Sequence, residues 1–107
     1  MEEKTIEYQR ISEQLQSLAA QKDRMALQKG EYKNAEGEIA KAKGKVFSAV
    51  GSVIVEVSRE DAASTIKEKM EIIELRLNAI NRQINEFSEK EKKMRAELES
   101  MLKDNQA

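Results

Sequence analysis

The sequence has no Cys, His, Pro or Trp residue, and its 107 residues include only two Tyr and two Phe. The absence of Cys excludes disulfides and thiolate metal sites. The absence of His removes the side chain that most often transfers protons near neutral pH or binds zinc. No run approaches the roughly 18 apolar residues of a membrane span, and MEEKTIEYQR lacks the apolar region of a signal peptide. We therefore expect a soluble cytoplasmic protein with no membrane partner and no metal.

The sequence also lacks an excess of charge of either sign. Lys and Arg total 19 and Asp and Glu total 20, so the net charge is −1. A chain without a basic field has no means of attracting a phosphate backbone, and we expect no nucleic-acid partner. No Gly-rich phosphate loop or nucleophile elbow is present, and the adjacent carboxylates of Glu60 and Asp61 are explained by helix capping. We expect no enzyme activity and no cofactor.

The second half of the chain carries a coiled-coil pattern. Apolar residues recur at alternating steps of four and three, which is the spacing of a helix that packs along one seam. Ser58 and Asp61 form a capping-box-like pair that marks the start of this helix. We predict a helix from about residue 59 to 103. Ten of its eleven seam positions are apolar, Glu91 being the exception: Ile66, Met70, Ile73, Leu77, Ile80, Ile84, Phe87, Glu91, Met94, Leu98 and Met101.

The first half carries a weaker version of this pattern and predicts an amphipathic helix over residues 1–44. Apolar residues recur every seven positions, but polar side chains interrupt the second seam position at Lys22, Lys29 and Glu36. The sequence thus predicts a helix that depends less strictly on its partner. The residues that recur every seven positions are Ile11, Leu18, Met25, Tyr32, Ile39 and Val46.

Three glycines of the first half also lie seven residues apart, at Gly30, Gly37 and Gly44. Each glycine in a helix interior costs about 1 kcal/mol relative to Ala. The column indicates either a hinge or close approach of another subunit, or an exposed face that tolerates glycine. We favour the exposed face.

The segment between the helices, VFSAVGSVIVEVS, is almost free of charge. It predicts a β-hairpin within residues 45–58, with a two-residue turn at Gly51-Ser52 of type II′. That register places five valines and Ser48 on one face, with Val50 opposite Val53. A lone hairpin is marginal in water, so we expect hairpins of several chains to assemble into a β-barrel. The predicted assembly residues are Val46, Phe47, Val50, Val53, Ile54, Val55 and Val57.

Together these elements predict a mainly α fold. The chain should form one domain over residues 1–107, a long antiparallel two-helix coiled coil joined by one β-hairpin, followed by a tail at 104–107. The turn position makes the two helices equal in length, so both termini should lie at the end opposite the hairpin.

The segment VFSAVGSVIVEVSRED, leading into IKEKMEIIELRLNAINRQI, resembles the beta-type subunits of the prefoldin family. The similarity is close from Val46 to about Glu86 and thinner in the first helix, where Gly37 and Gly44 depart from the family pattern. The resemblance implies a heterohexamer of two alpha-type and four beta-type subunits, whose hairpins form two β-barrels. It also implies that the coiled coils hold unfolded client proteins at their tips, without ATP, for transfer to a group II chaperonin.

If the tips hold clients, apolar residues near both termini should do so. Flexible, polarizable Met suits a binder of varied surfaces. For Ile11, Met94 and Leu98 the heptad spacing favours a role in the seam over client contact, whereas Tyr8 and Leu102 lie off the main stripe. The alternative function is a structural coiled-coil adaptor that assembles through its hairpin and holds no clients. The candidate client-binding residues are Ile6, Tyr8, Ile11, Met94, Leu98, Met101 and Leu102.

Overall fold

The computed structural model describes residues 2–106. It contains two long helices joined by a two-stranded antiparallel hairpin, which confirms the predicted fold class. Met1, the first residue of the predicted first helix, and Ala107, the last of the predicted tail, lie outside the described residues. Across residues 2–106, neither helix contains a stretch apolar enough to cross a bilayer. The elements are α1 Glu2–Lys41, β1 Val46–Val50, β2 Val53–Val57 and α2 Arg59–Gln106.

Two helix ends differ from the prediction. α1 ends at Lys41 rather than near residue 44, because the chain closes its last turn with a bond from the Ala42 amide to the Ile39 carbonyl, 3.3 Å long, ahead of Gly44. α2 continues to Gln106 and takes in most of the predicted tail. No Gly or Pro interrupts residues 104–106, so nothing in that stretch terminates the helix.

The start of α2 is capped as the sequence predicts. The Ser58 hydroxyl oxygen accepts a hydrogen bond of 3.0 Å from the Asp61 amide, and the Ser58 carbonyl accepts one of 3.0 Å from the Ala62 amide. The side-chain bond satisfies one of the amides that a helix N-terminus leaves unpaired. Ser58 therefore fixes the junction between β2 and α2.

The hairpin has the predicted register. Val50 pairs with Val53 and Val46 with Val57, which places five valines and Ser48 on one face. Gly51 has a φ of +61°, whereas Ser52 does not have a positive φ. A type I′ turn requires positive φ at both central residues, so this combination fits the predicted type II′ turn.

The chain divides into two compact units. We call the residues up to Asp23 together with those from Asn78 onward the terminal unit, and Arg24–Leu77 the hairpin unit. The terminal unit contains the buried side chains of Leu18 and Ile80, and the hairpin unit contains that of Ile73. All eleven predicted seam positions of α2 are buried or half-buried. The coiled-coil pattern of the second half is thereby confirmed.

The seam of α1 departs from a strict heptad, as its weaker pattern suggests. Lys22 and Glu36 are exposed, and their neighbours Gln21 and Ala35 take the half-buried positions instead. Lys29 keeps its seam position, because its Nζ reaches out to Glu74 Oε1 at 3.5 Å while the side chain is only about one third exposed. Long side chains can cover apolar surface in this way while the charge stays in water.

Candidate interaction surfaces

The hairpin carries an apolar surface that the described chain does not cover. Phe47, Val50, Val53 and Val55 are exposed, and Ile54 is 72% exposed. Val50, Val53 and Val55 lie side by side on one face of the paired strands, and Phe47 and Ile54 lie on the other face. We call these five residues together the hairpin patch. Soluble proteins rarely leave contiguous apolar patches open unless another molecule binds there. The hairpin is therefore the first candidate surface for a macromolecular contact.

The part of the hairpin nearest the helices is different. Val46, Ser48 and Val57 are half-buried, so only the part of the valine face next to the turn is exposed. A groove of about 400 Å³ lies where this part of β1 meets both helices of the hairpin unit. Small and apolar side chains such as Ala35 and Ala62 line it. The contact surface of the hairpin is thus concentrated around Gly51-Ser52.

The seven candidate client-binding residues all lie in the terminal unit and fall into two groups. Ile6 and Leu102 are about half exposed, at 49% and 51%. The remaining five are half-buried: Tyr8, Ile11, Met94, Leu98 and Met101. Only the first group presents apolar surface while the helices of this unit stay paired.

The expectation that Tyr8 lies off the helix seam is wrong. Its ring is half-buried, and its hydroxyl donates a hydrogen bond of 2.9 Å to Glu91 Oε1. Arg95 Nη1 lies 3.8 Å from the same oxygen, and the Glu91 side chain is only 18% exposed. The bond to Glu91, burial and the carboxylate charge together raise the pKa of Tyr8 above its ordinary value.

The sequence did signal Glu91, because Glu91 is the one polar residue in an otherwise apolar seam. The sequence did not reveal its partner. A polar pair at a coiled-coil seam position fixes the register of the helices at some cost in stability. Tyr8 and Glu91 accordingly set how α1 and α2 align within the terminal unit.

The first turns of α1 contribute little to that seam. Among residues 2–7, Lys4 alone is half-buried. Lys4 Nζ lies 3.5 Å from Glu97 Oε2, and both side chains are nearly half exposed. Because Lys4 pairs with Glu97 and Tyr8 with Glu91, the two helices run antiparallel within this unit.

The glycine column faces open space in this chain. A methyl group built at Gly30, Gly37 or Gly44 would meet no atom within 4 Å. Within the chain, the glycines are therefore not needed for close packing, which agrees with an exposed face. The sequence reasoning did not single out three other exposed apolar side chains of the hairpin unit, Leu27, Ile72 and Leu75.

Comparison with known proteins gives one family. The family model described as "Prefoldin subunit" matches residues 2–105. Prefoldin subunit beta of Pyrococcus horikoshii and of Thermococcus kodakarensis are each 39% identical over 49 residues, which is 46% of this chain and 42% of the relative. The chain thus aligns with less than half the length of these curated relatives.

Two solved structures extend the similarity over most of the fold. The crystal structure of the prefoldin beta subunit from Thermococcus strain KS-1 superposes with a TM-score of 0.86 at 33% identity, covering 94% of this chain and 90% of that one. The beta2 subunit from the same organism has a TM-score of 0.77 at 20% identity, covering 87% and 99%. At that identity the second similarity concerns the fold alone. With the family model covering nearly the whole chain and the same helix, hairpin, helix order in place, this chain belongs to the prefoldin subunit family.

Proposed function

We propose that this chain is a beta-type co-chaperone subunit that holds unfolded proteins without ATP and delivers them to a group II chaperonin. Membership of the prefoldin subunit family supports a chaperone-type role and assembly with other prefoldin subunits. The observation that carries the proposal is the family match over residues 2–105, together with the superposition on a prefoldin beta subunit at a TM-score of 0.86. The chain is proposed to act in the cytoplasm and to catalyse no reaction.

The exposed hairpin patch supports assembly. Burying one Val-sized side chain contributes roughly 1.5 kcal/mol, so the three exposed valines of one face, Val50, Val53 and Val55, offer on the order of 4 kcal/mol before the entropy cost of association. Edge pairing between neighbouring hairpins would also satisfy the open backbone groups of β1 and β2. We infer a hexamer of two alpha-type and four beta-type chains in which hairpins close into β-barrels.

The terminal unit supports client holding. Ile6 and Leu102 are exposed as the unit stands. Unbranched Met101 is adjacent to Leu102 in the sequence, and unbranched Met94 lies on α2, the helix that pairs with the one carrying Ile6. Met adapts to varied surfaces, which a binder of unfolded chains needs. Tyr8, Ile11, Met94, Leu98 and Met101 are half-buried, so their proposed contact with clients requires the two helices to separate locally.

That half-burial also favours a second candidate, a structural coiled-coil adaptor. In an adaptor these residues would serve the seam alone. The two functions differ in one assay: the chain, assembled with an alpha-type subunit, is added to a chemically denatured protein that aggregates on dilution. Suppressed aggregation near equal molar ratios is expected of the co-chaperone, and intact assembly without suppression would establish the adaptor.

Truncation localises the activity. Removing the residues after about 93 deletes Met94, Leu98, Met101 and Leu102 but leaves the hairpin intact. We expect the oligomer mass to reflect only the deletion, client holding to fall strongly, and transfer of a held client to a group II chaperonin to fall with it. Holding that survives this truncation undiminished would place the client site elsewhere.

A further inference from the structure

The terminal unit contains an abrupt change in how its two helices are held together. On the side of Tyr8 that leads toward Leu18, the seam is apolar and includes the buried side chains of Leu18 and Ile80. At Tyr8 the seam becomes polar, with the hydroxyl bonded to Glu91 and Arg95 bracing the same carboxylate. This polar cluster separates a well-packed part of the unit from its last turns.

Beyond the cluster, the two helices are unequal partners. α2 contributes three half-buried apolar side chains, Met94, Leu98 and Met101. Across from them, residues 2–7 contribute only the half-buried Lys4, since Ile6 is directed to solvent at 49% exposure. Within the described part of α1, this apolar row therefore faces one lysine stem, and such a row gains far less from pairing than one that faces another apolar row.

The remaining contacts past the cluster are weak. Lys4 and Glu97 form an ion pair at 3.5 Å, but both side chains are nearly half exposed, and such pairs ordinarily contribute little. A groove of about 500 Å³ runs beside this pair, lined by Lys4 and by α2 residues that include Ala96 and Met101. The last turns are therefore loosely packed in addition to being poorly matched.

We propose that the Tyr8–Glu91 hydrogen bond, braced by Arg95, is a latch for client access. While it is closed, Met94, Leu98 and Met101 stay half-buried against α1. When it opens, residues 2–7 of α1 separate from the segment of α2 that follows Glu91, and the three apolar side chains become a binding strip for an unfolded protein. Tyr8 and Glu91 act here as positioning residues. The inference rests on the proposed client-holding function and adds to it the control of the site.

A covalent link between position 4 of α1 and position 97 of α2 tests the latch directly. The chain has no Cys, so K4C and E97C introduce two unique thiols. A short bis-maleimide joins them before the chain is assembled with its alpha-type partner, and a mono-maleimide on both thiols is the uncrosslinked reference. A matched control carries K29C and E74C, which replace the other Lys–Glu pair at 3.5 Å, in the hairpin unit.

Suppression of aggregation of a denatured model protein is then measured for each assembly. The latch predicts that the 4–97 crosslink abolishes most of the holding seen with the mono-maleimide, whereas the 29–74 crosslink changes it little. If the 4–97 crosslinked assembly holds clients as well as the uncrosslinked one, the latch is overturned while the proposed function stands. If the uncrosslinked assembly holds no client, the proposed function itself is overturned.

A substitution that removes the bond and a matched one that keeps it provide a readout that does not need a client. Spin labels on the same two thiols report the distance between the segments. Y8F removes the hydrogen bond and should raise the separated population severalfold, whereas E91Q keeps an oxygen that can accept the bond from the Tyr8 hydroxyl and should leave that population close to the wild-type value. A Y8F distance distribution equal to those of wild type and E91Q would overturn the latch even if the oligomer holds clients.

Discussion

Ile72 and Ile73 are adjacent in α2, yet Ile73 is 2% exposed and Ile72 is 49% exposed. Ile73 occupies a seam position and packs against α1 within the hairpin unit. Ile72 lies one helical step of about 100° away and faces solvent. Two isoleucines at neighbouring positions thus differ only in burial. Comparing substitutions at the two positions measures how much a buried seam residue contributes to stability.

We expect I73A to lower the free energy of unfolding by about 2–5 kcal/mol, because it removes buried methylene groups and leaves a cavity. I72A should change it by less than about 0.5 kcal/mol, apart from any effect on association. Chemical denaturation followed by circular dichroism measures both. Similar losses in the two variants would contradict the burial difference.

The prediction of a single domain can be tested with the same method. Leu18 is buried in the terminal unit and Ile73 in the hairpin unit. If both units belong to one cooperative domain, L18A and I73A should each shift a single common transition. Two transitions, each sensitive to only one of these substitutions, would show that the units unfold independently.

Gly30 and Gly51 should respond to alanine in opposite directions. A Cβ at Gly30 meets no atom within 4 Å, so G30A should stabilise the folded chain by about 0.5–1 kcal/mol through helix propensity. Gly51 has a φ of +61°, so G51A should destabilise it by about 1 kcal/mol or more. Melting temperatures of the assembled protein report both. A destabilising G30A would instead indicate that another subunit packs against the glycine column.

Ser58 should contribute to stability as the cap of α2. S58A removes the acceptor of the 3.0 Å bond from the Asp61 amide and should cost about 1 kcal/mol. S58D, which retains an acceptor at the same position, is the control and should retain most of the stability. Equal losses in S58A and S58D would show that the side-chain cap contributes little.

The hairpin patch should control the oligomeric state. V50K places a charge on the most exposed residue of the valine face and should shift the native mass toward smaller species, since a desolvated lysine without a partner disfavours an apolar interface. L75K is the control, because Leu75 is 70% exposed and lies outside the hairpin. Native mass spectrometry distinguishes them. An unchanged oligomer for V50K would argue against assembly through the hairpin.

The Tyr8 bond should be visible in a pH titration. The chain has two Tyr residues, so Y32F leaves Tyr8 as the only one, and its absorbance should titrate with a midpoint above the ordinary 10.0. Since the folded pKa is the higher one, the contribution of the bond to stability is full below pH 10 and is lost as the pH rises through the raised pKa. E91Q should lower the midpoint. A midpoint that stays at 10.0 would mean that the bond does not persist in solution.

Part of the fold could be read from the sequence because the signals were local and periodic. The steps of four and three from Ile66 to Met101, the Ser58 cap and the Gly51-Ser52 turn each depend on a few neighbouring residues, and each is present in the structure. The end of α1 was misplaced by three residues. Because the heptad pattern of the first half is weak, the sequence did not determine which residues occupy several of its seam positions.

The candidate site was harder to predict, because burial depends on which residue lies opposite. The sequence spacing placed Tyr8 off the main stripe, yet its hydroxyl reaches Glu91, 83 residues later in the chain. Spacing rules relate residues within one helix, so they could not predict a contact between residues this far apart in the sequence. The same holds for Lys4, whose contact with Glu97 follows only from the alignment of the two helices.

The sequence by itself determined that this chain forms two helices and one hairpin, since hydrophobic period, capping and turn chemistry are properties of short segments. Only the tertiary structure decided which apolar residues remain exposed. It left Ile6, Leu102 and the hairpin patch open, and it half-buried Met94, Leu98 and Met101. The physical reason is that exposure is set by the packing of one helix against another. That packing brings together residues that are far apart in the sequence, and local sequence patterns do not show which of them will meet.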